Sequence, residues 1–195
     1  YRVDPDKVVY LPNPVEYIPS ENSIKKPDKP TVCFLGRMDP QKRYWLFFDL
    51  AKNFPDVEFV AVGRPSLLYE ELYERIVERY RGLRNLKIAG FVSEEEKSKI
   101  LSRSWILCLP SIREGLPIAF LEALAHKTSI LSHVNPDNLV MMFGHHVKDR
   151  DINEGVKKLL NNDLWRENGE AGYRYVSRTH TIDKITDKLQ GVIEA

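Results

Sequence analysis

The sequence lacks three features that would each assign a class of protein. Its 195 residues carry 29 Lys and Arg against 28 Asp and Glu, a formal net charge of +1, so no basic footprint for nucleic acid and no nucleic-acid partner is expected. No apolar run is long enough to span a bilayer, and no signal peptide is recognisable. GxSxG, P-loop and GxGxxG motifs are missing, which counts against hydrolases, P-loop NTPases and simple dinucleotide-binding proteins.

Cysteine is also scarce. Cys33 and Cys108 are the two cysteines, and each lies in an apolar, strand-like run. We expect two buried thiols rather than a disulfide or a metal site, and therefore a reducing, cytoplasmic location. With 43% apolar residues, the chain is long enough to bury a core without covalent or metal support, so one domain is predicted.

The apolar pattern predicts an α/β fold. Six runs are typical of buried parallel strands, at 7–11, 31–35, 57–62, 86–89, 105–109 and 128–132. Segments with helical spacing lie between them, at 44–53, 67–81 and 93–102, the last opening with a capping-box pattern at Ser93. Three closing helices are predicted at 153–161, 164–177 and 182–193, beyond the point where the strand signal weakens.

This alternation predicts a doubly wound, Rossmann-like parallel sheet with helices on both faces and C-terminal helices that close the domain. Residues 1–22 are interpreted as a leading linker and 23–195 as the domain. Because ligands bind beyond the carboxyl ends of strands in such sheets, the turns after the strands form the candidate site. They carry Gly36-Arg37, Gly63-Arg64, Gly90-Phe91 and 111–114.

Arg37 and Lys42 follow the first of these strands closely. A guanidinium fork and a mobile ammonium suit the oxygens of a diphosphate, and they would stabilise the charge that builds on it as a leaving group. A solvated surface location is the alternative for both residues.

Two acids eight positions apart flank a Gly-Leu-Pro turn. Glu114 lies where a helix N-terminus is expected, so it either contacts an anion-binding turn or simply caps the helix. Glu122 is surrounded by apolar neighbours, and an unpaired buried carboxylate is costly. Either an internal partner or a ligand hydroxyl satisfies it, and a ribose offers two such hydroxyls.

Two further motifs carry weaker signals. Asp149-Arg150-Asp151 spells a DxD pattern used by some metal-dependent sugar transferases, but it precedes a predicted helix, where Asp151 suits an N-cap. His145-His146 has no nearby partner at ligand spacing and is interpreted as a loop pair. No metal site is therefore predicted.

Five segments occur in the order found in glycosyltransferase family 4 enzymes of the GT-B fold. From about Val8 to its end, the chain resembles the C-terminal, donor-binding domain of those enzymes. The segments are 9–15 (VYLPNPV), which is similar to the stretch that leads into the second domain, 34–42 (FLGRMDPQK), similar to the phosphate-contact stretch, 61–63 (AVG), 88–92 (IAGFV) and the acid motif 114–122.

The resemblance implies a retaining, metal-independent, cofactor-free transfer of a hexosyl group of mannose or glucose type, from a GDP- or UDP-hexose to a glycan or lipid-linked acceptor. Arg37 and Lys42 would hold the diphosphate, Glu122 the ribose hydroxyls and Glu114 the sugar, with Arg37, Lys42 and Glu114 catalytic. The full set of implied donor contacts is Gly36, Arg37, Lys42, Gly63, Arg64, Phe91, Val92, Glu114, Gly115, Leu116, Pro117 and Glu122.

Two departures from the family pattern lie near the sugar end of the cleft. Segment 126–129 (HKTS) stands where the family usually has a glycine before a proline-containing strand start, and 135–138 (NPDN) replaces a glycine-rich turn. The departures bear on the identity of the sugar and on activity itself. The alternative functions are a non-catalytic binding module of the same fold and a GT-B sugar-nucleotide epimerase or phosphorylase.

The implied partners lie outside this sequence. The N-terminal acceptor domain is absent, so the chain alone is expected to bind donor but to transfer poorly. Lys157, Lys158, Arg174 and Arg178 are interpreted as a solvated face, with peripheral membrane contact as the alternative.

Overall fold

The computed structural model describes residues 8–148 and 151–194. Six strands form one sheet in which every neighbouring pair is parallel. They are β1 (Thr31–Leu35), β2 (Glu58–Val62), β3 (Leu86–Gly90), β4 (Ile106–Leu109), β5 (Ser129–Ser132) and β6 (Gly144–His146), in the order β3-β2-β1-β4-β5-β6. This is the order of a doubly wound sheet, as predicted.

Eight α-helices accompany the strands in the described part of the chain. They are α1 (Tyr44–Asn53), α2 (Glu70–Glu78), α3 (Glu94–Arg103), α4 (Ile118–Ala125), α5 (Leu139–Phe143), α6 (Ile152–Leu160), α7 (Leu164–Thr179) and α8 (Ile182–Ile193). Right-handed crossovers place α1 and α2 on one face of the sheet and α3 and α4 on the other. The core between these layers includes the packed rings of Phe34, Phe47 and Phe59, together with a stack of Trp105 on Trp165 at 4.1 Å between ring centroids.

Most predicted elements are confirmed. The bounds of α1 agree with the prediction, and α3 begins with the predicted capping box, in which the Glu96 N–H donates to Ser93 Oγ at 3.2 Å. The segment predicted as one helix at 67–81 is divided into a short 3-10 turn at Leu67–Tyr69 and the α-helix α2.

Three sequence-based predictions were wrong. Residues 8–11 form no strand and are exposed, while Lys7 lies outside the described residues. The leading segment joins the domain through Val15 instead, whose N–H donates to the His180 carbonyl at 2.8 Å. Helix α5 and strand β6 were missed, and the His145-His146 pair lies in β6 rather than in a loop.

A half-buried lysine fastens the polar stretch that precedes β1. The Lys26 ammonium donates to the carbonyls of Leu101 and Ser104 at 3.0 and 2.5 Å and to Thr128 Oγ1 at 2.9 Å. Three acceptors match the three N–H groups of an ammonium ion. Lys26 therefore connects this stretch to the end of α3 and the start of β5.

Candidate functional site

The ends of three neighbouring strands are linked by backbone hydrogen bonds. The Gly36 N–H donates to the Val62 carbonyl at 3.0 Å, and the Gly63 N–H donates to the Gly90 carbonyl at 2.7 Å. The turns after β1, β2 and β3 therefore lie side by side at the carboxyl edge of the sheet, where the sequence placed the site.

Glycine is required at position 63 by the protein's own backbone. Its φ of +135° is rarely adopted by other residues, and a Cβ there would lie 1.8 Å from the Gly36 carbonyl oxygen. At Gly115, by contrast, a Cβ would meet nothing within 4 Å. Gly63 thus brings two loops together, whereas Gly115 leaves backbone open to a ligand.

The loop after β1 and the loop after β4 are also bound to each other. The Ile112 N–H donates to the Gln41 carbonyl at 2.9 Å, and the Gln41 amide donates to the Arg113 carbonyl at 3.0 Å. Arg43 Nε donates to the Pro110 carbonyl at 2.6 Å. These strands flank the point where the winding of the sheet reverses, which is the usual ligand site of such a fold.

Sequence reasoning missed the roles of Gln41 and Arg43. Arg43 adopts a left-handed conformation with φ of 48° at the N-cap of α1. An arginine in a loop carries no signal in the sequence for a contact with a carbonyl 67 positions away.

Lys42 and Glu114 are brought together by these loops. Lys42 Nζ lies 2.5 Å from Glu114 Oε1, and the side chains are only 17% and 9% exposed. The alternative that Lys42 is a solvated surface residue is therefore wrong. The pair places one enclosed cation and one enclosed carboxylate at the switch point of the sheet.

Arg37 lies at the same edge but is mostly exposed. Its guanidinium is 3.3 Å from Asp39 Oδ2, with 69% of the arginine side chain exposed. Asp39 is buried and also accepts hydrogen bonds from the Ser66 N–H and hydroxyl. Arg37 is consequently anchored at a fixed carboxylate while its side chain faces solvent.

Glu122 has an internal partner, one of the two outcomes that the sequence left open. Lys97 Nζ, from α3, lies 2.6 Å from Glu122 Oε1 and 2.5 Å from Glu94 Oε2. Glu122 and Lys97 are 19% and 18% exposed, so the ion pair is largely enclosed. Lys97 was not identified from the sequence, because its partner is 25 positions away on another helix.

His126 ends the helix that carries Glu122. One ring nitrogen, Nδ1, lies 2.7 Å from the Glu122 carbonyl oxygen, and the other, Nε2, lies 2.8 Å from Ser98 Oγ. Since a carbonyl only accepts, Nδ1 carries the proton and Nε2 accepts from Ser98. Burial lowers the pKa of His126 to about 4, so this arrangement holds at neutral pH.

The Gly-Leu-Pro turn precedes α4. Pro117 is the N-cap residue, one position before the first helical turn. The Asn13 amide donates to the Leu116 carbonyl at 3.3 Å, which attaches the leading segment to this turn. The first backbone N–H groups of a helix have no acceptor within it, so the start of α4 supplies donors suited to an anion.

The residues that the resemblance implies beside the base, Phe91 and Val92, and the implied cleft residue Arg64 are accessible. Phe91 is 76% exposed, Arg64 is exposed and Val92 is half-buried. They follow β2 and β3, at the same sheet edge as Arg37 and Lys42.

A cavity of about 820 Å³ lies beside Glu122. It is enclosed by the leading segment from Val15 to Lys25, by α3, and by Glu122 and His126 of the α4 region. Arg37, Lys42 and Glu114 do not line it. Glu122 therefore lies beside a cavity large enough for a small organic molecule.

The two departures from the family pattern keep conformations that favour glycine. Lys127 has φ of 55°, Asp137 of 51° and Asn138 of 58°, all in the left-handed region. The Asn135 side chain accepts from the N–H groups of Val140 and Met141 and so caps α5. The turn after β5 thus keeps its shape without glycine.

The motifs with weaker signals have structural explanations. The Asp151 side chain accepts from the Asn153 N–H at 2.9 Å at the start of α6, while Asp149 and Arg150 lie outside the described residues. Within 8–148 and 151–194, no group of three or more His, Cys, Asp or Glu side chains is placed to hold a metal ion. No helix in the same ranges is long and apolar enough to cross a membrane.

The buried, unpaired thiols are confirmed. Cys33 and Cys108 are free and buried. Burial raises the pKa of Cys33 to about 11 and raises that of Cys108 as well, so both thiols stay protonated and unreactive in the folded protein.

Known proteins are similar to this chain in sequence and in fold. The chain is 30% identical over 183 residues to the UDP-Gal:alpha-D-GlcNAc-diphosphoundecaprenol alpha-1,3-galactosyltransferase of Escherichia coli, an alignment that covers 81% of this chain and 46% of that protein. The chain therefore spans about half the length of this curated relative.

Two solved structures share the fold. A TarM variant of S. aureus, crystallised with alpha-GlcNAc-glycerol and UDP among its ligands, superposes with a TM-score of 0.72 at 20% identity, over 96% of this chain and 38% of its own. The C-terminal domain of the group 1 glycosyl transferase LpcC from Francisella tularensis has a TM-score of 0.66 at 19% identity, over 88% of this chain and 97% of its own.

The family assignment rests on most of the chain. Residues 19–174 match the family described as "Glycosyl transferases group 1", which includes both Lys–Glu pairs of the site. The chain belongs to the group 1 glycosyl transferase family.

Proposed function

We propose that this chain is the C-terminal, donor-binding half of a retaining, metal-independent glycosyltransferase of family 4. Residues 1–22 lead from an N-terminal acceptor domain, and 23–195 bind the nucleotide-sugar. Since the E. coli relative is named for UDP-Gal and the S. aureus structure contains UDP, the proposed donor is a UDP-hexose, with GDP-hexose as the competitor.

The observation that carries this proposal is the enclosed Lys42–Glu114 pair at the switch point of the sheet. A buried ion pair is a costly device for stability alone. Here it places a cation and an acid in loops that are otherwise fixed by backbone contacts. A diphosphate and its sugar need that combination, a cation for the phosphate oxygens and an acceptor for the sugar hydroxyls.

Arg37 is proposed to change partner when the donor binds. The Arg37 side chain is 69% exposed, and Asp39 keeps its hydrogen bonds from the Ser66 N–H and hydroxyl, so the arginine can leave without stranding the carboxylate. A bidentate contact with phosphate oxygens is stronger, because both groups are charged and their geometries match. Arg37 and Lys42 would then neutralise the diphosphate as it leaves.

Glu122 is proposed to accept the ribose hydroxyls. The carboxylate is held by Lys97 through Oε1 and lies at the edge of the cavity. A ribose at this position lies between the diphosphate loops and the accessible Phe91 and Val92, which border the base.

The proposed reaction breaks the bond between the anomeric carbon and the diphosphate oxygen. The acceptor hydroxyl attacks from the face on which the diphosphate departs, and its proton passes to the departing phosphate oxygen. Glu114 and the backbone of 115–117 hold the sugar, while the start of α4 and Arg37 stabilise the charge on the leaving group. No metal ion or cofactor takes part in the proposal.

The N-terminal acceptor domain is proposed to cover apolar surface at the start and end of this chain. Val8, Val9 and Leu11 are exposed, as is Ile193 at the end of α8. The enzyme is proposed to work in the cytoplasm, with peripheral membrane contact where its acceptor is lipid-linked.

The test is calorimetric titration of the chain with UDP, GDP and ADP in EDTA. We expect UDP to bind and Arg37→Ala to weaken it at least tenfold. Arg81→Ala is the matched control, because Arg81 is 78% exposed and also forms a surface ion pair, with Glu78, but lies after α2. The Arg81→Ala variant is expected to bind UDP as tightly as the unchanged chain does.

Two outcomes would contradict the proposal. Absence of binding to any of the three nucleotides removes the donor site, and equal effects of the two arginine substitutions remove the role of Arg37. Glu114→Ala in the complete protein distinguishes an enzyme from a non-catalytic module. An enzyme loses sugar transfer, whereas a binding module keeps its biological role.

A further inference from the structure

Glu122 is held by two contacts, one from α3 and one from the end of its own helix. Its carboxylate is held by Lys97 at 2.6 Å, and its backbone carbonyl accepts from His126 at 2.7 Å. His126 is in turn bound to Ser98, which neighbours Lys97 on α3. The side chain and the backbone of Glu122 are therefore both fixed relative to α3.

The Lys97 contact leaves much of the carboxylate available. It uses Oε1, and an ionised carboxylate has about four acceptor positions on its two oxygens. Lys97 is also shared with Glu94, whose side chain is 79% exposed and is thus close to solvent. Glu122, at 19% exposure, depends on Lys97 more than Glu94 does.

An isolated carboxylate at this depth would turn toward water or take up a proton. Either change would misdirect a group that has to accept two hydroxyls at once. With Oε1 held by the ammonium, rotation of the carboxylate is restricted, so Oε2 can accept from the vicinal hydroxyls of a ribose without a search over rotamers.

We propose that Lys97 is a positioning residue that orients Glu122 for the 2′- and 3′-hydroxyls of a ribonucleoside diphosphate, and so sets the preference for ribose over deoxyribose. The inference rests on the proposed donor site. It goes further, because it assigns the sugar selectivity of the nucleotide to a lysine on a different helix from the acid motif.

The test compares UDP with 2′-deoxy-UDP for the chain and its variants by calorimetry. The unchanged chain is expected to prefer UDP by tenfold or more, since a hydrogen bond to a charged acceptor is lost with the 2′-hydroxyl. Lys97→Met is expected to bring this ratio within about threefold of unity. Lys97→Arg, which keeps the charge and the reach, is expected to restore most of it.

Lys99→Met is the matched control. Lys99 lies on the same helix and pairs with Glu95, but it is 67% exposed and does not contact Glu122. The ratio is expected to stay at the value of the unchanged chain. Because Lys97→Met could unfold the domain, Lys97→Gln is made in parallel. Its amide still donates to Glu122 without a charge, and an intermediate ratio is expected.

The outcomes separate this inference from the proposed function. If the unchanged chain prefers UDP and the folded Lys97 variants keep that ratio, or lose affinity for both nucleotides equally, Lys97 does not position Glu122 and only this inference falls. If the unchanged chain binds UDP without preference, Glu122 does not contact the ribose and this inference also falls, while the Arg37 result still identifies the nucleotide site. Absence of all binding overturns both.

Discussion

Acid is expected to destabilise this domain through one particular side chain, His126. The ring is 3% exposed. Its pKa is lowered from 6.5 to about 4, mainly by burial and also by the charges of Lys26 and Lys97, although the hydrogen bond to the Glu122 carbonyl raises it. The Ser98 hydroxyl and the Tyr17 ring also contact or neighbour the imidazole.

The sign and size of the effect follow from these pKa values. Above pH 6.5 the ring is neutral in both the folded and the unfolded chain, so its titration has no effect. Between pH 6.5 and about 4 the unfolded chain takes up the proton first, and the free energy of unfolding falls as the pH falls. At about 1.4 kcal/mol for each pH unit, the loss is about 3 kcal/mol, and it is complete below pH 4.

The assay is urea denaturation, followed by circular dichroism, at pH 6.5 and pH 4 for the unchanged chain and for His126→Gln. At pH 6.5 the variant loses about 1–3 kcal/mol of stability, because the buried hydrogen bonds change. The decisive quantity is the difference between the two pH values, which is expected to be about 3 kcal/mol smaller in the variant. Equal differences would refute the assignment of this acid sensitivity to His126.

Three other predictions test the site and the core. Gly63→Ala is expected to cost about 3 kcal/mol or more in thermal denaturation, because its Cβ meets a carbonyl oxygen at 1.8 Å; a loss below about 1 kcal/mol contradicts that geometry. Lys42→Met is expected to lower the free energy of unfolding by about 3 kcal/mol, because it leaves the Glu114 carboxylate without its partner. The double variant Lys42→Met with Glu114→Gln is expected to recover more than half of that loss. Equal losses in the single and double variants argue against the pair. Cys33 and Cys108 are expected to react with a thiol reagent only in urea, and rapid reaction of the native chain contradicts their burial.

Strands and helices with strong apolar periodicity could be predicted from the sequence, but weakly patterned ones could not. Strand β6 has three residues, Gly144, His145 and His146, none of them a typical strand former. It exists because Gly144 fits against the backbone of Ile130, where a Cβ would lie 1.8 Å from the carbonyl oxygen. That constraint comes from the neighbouring strand and leaves no local pattern.

The opposite error occurred at residues 8–11. This apolar run predicts a strand, yet a strand needs a neighbour, and the edges of the sheet are β3 and β6. The segment lies near α8 instead, where Lys188 is over the Tyr10 ring at 5.6 Å. An apolar pattern indicates that a surface is apolar, but it does not indicate which element packs against that surface.

The two acids of the site could be identified from the sequence, but of the two lysines that pair with them only Lys42 could. Lys42 follows a strand end and could be suspected of lying near a ligand. Lys97 sits among charged residues on a helix whose pattern is that of a solvated face, so its pairing with Glu122 depends on how α3 and α4 pack.

This pairing has a consequence for how the site handles a charged ligand. Each acid of the motif already pairs with a lysine, so Lys42 meets the diphosphate as one half of a neutral pair. Arg37 differs, because its side chain is 69% exposed and its partner Asp39 keeps the hydrogen bonds from Ser66 when the arginine leaves. The donor is therefore expected to be attracted mainly by Arg37 and the start of α4, while the two Lys–Glu pairs orient it. For that reason the Arg37 substitution should weaken binding of the nucleotide, and the Lys97 substitution should change the selectivity for ribose over deoxyribose.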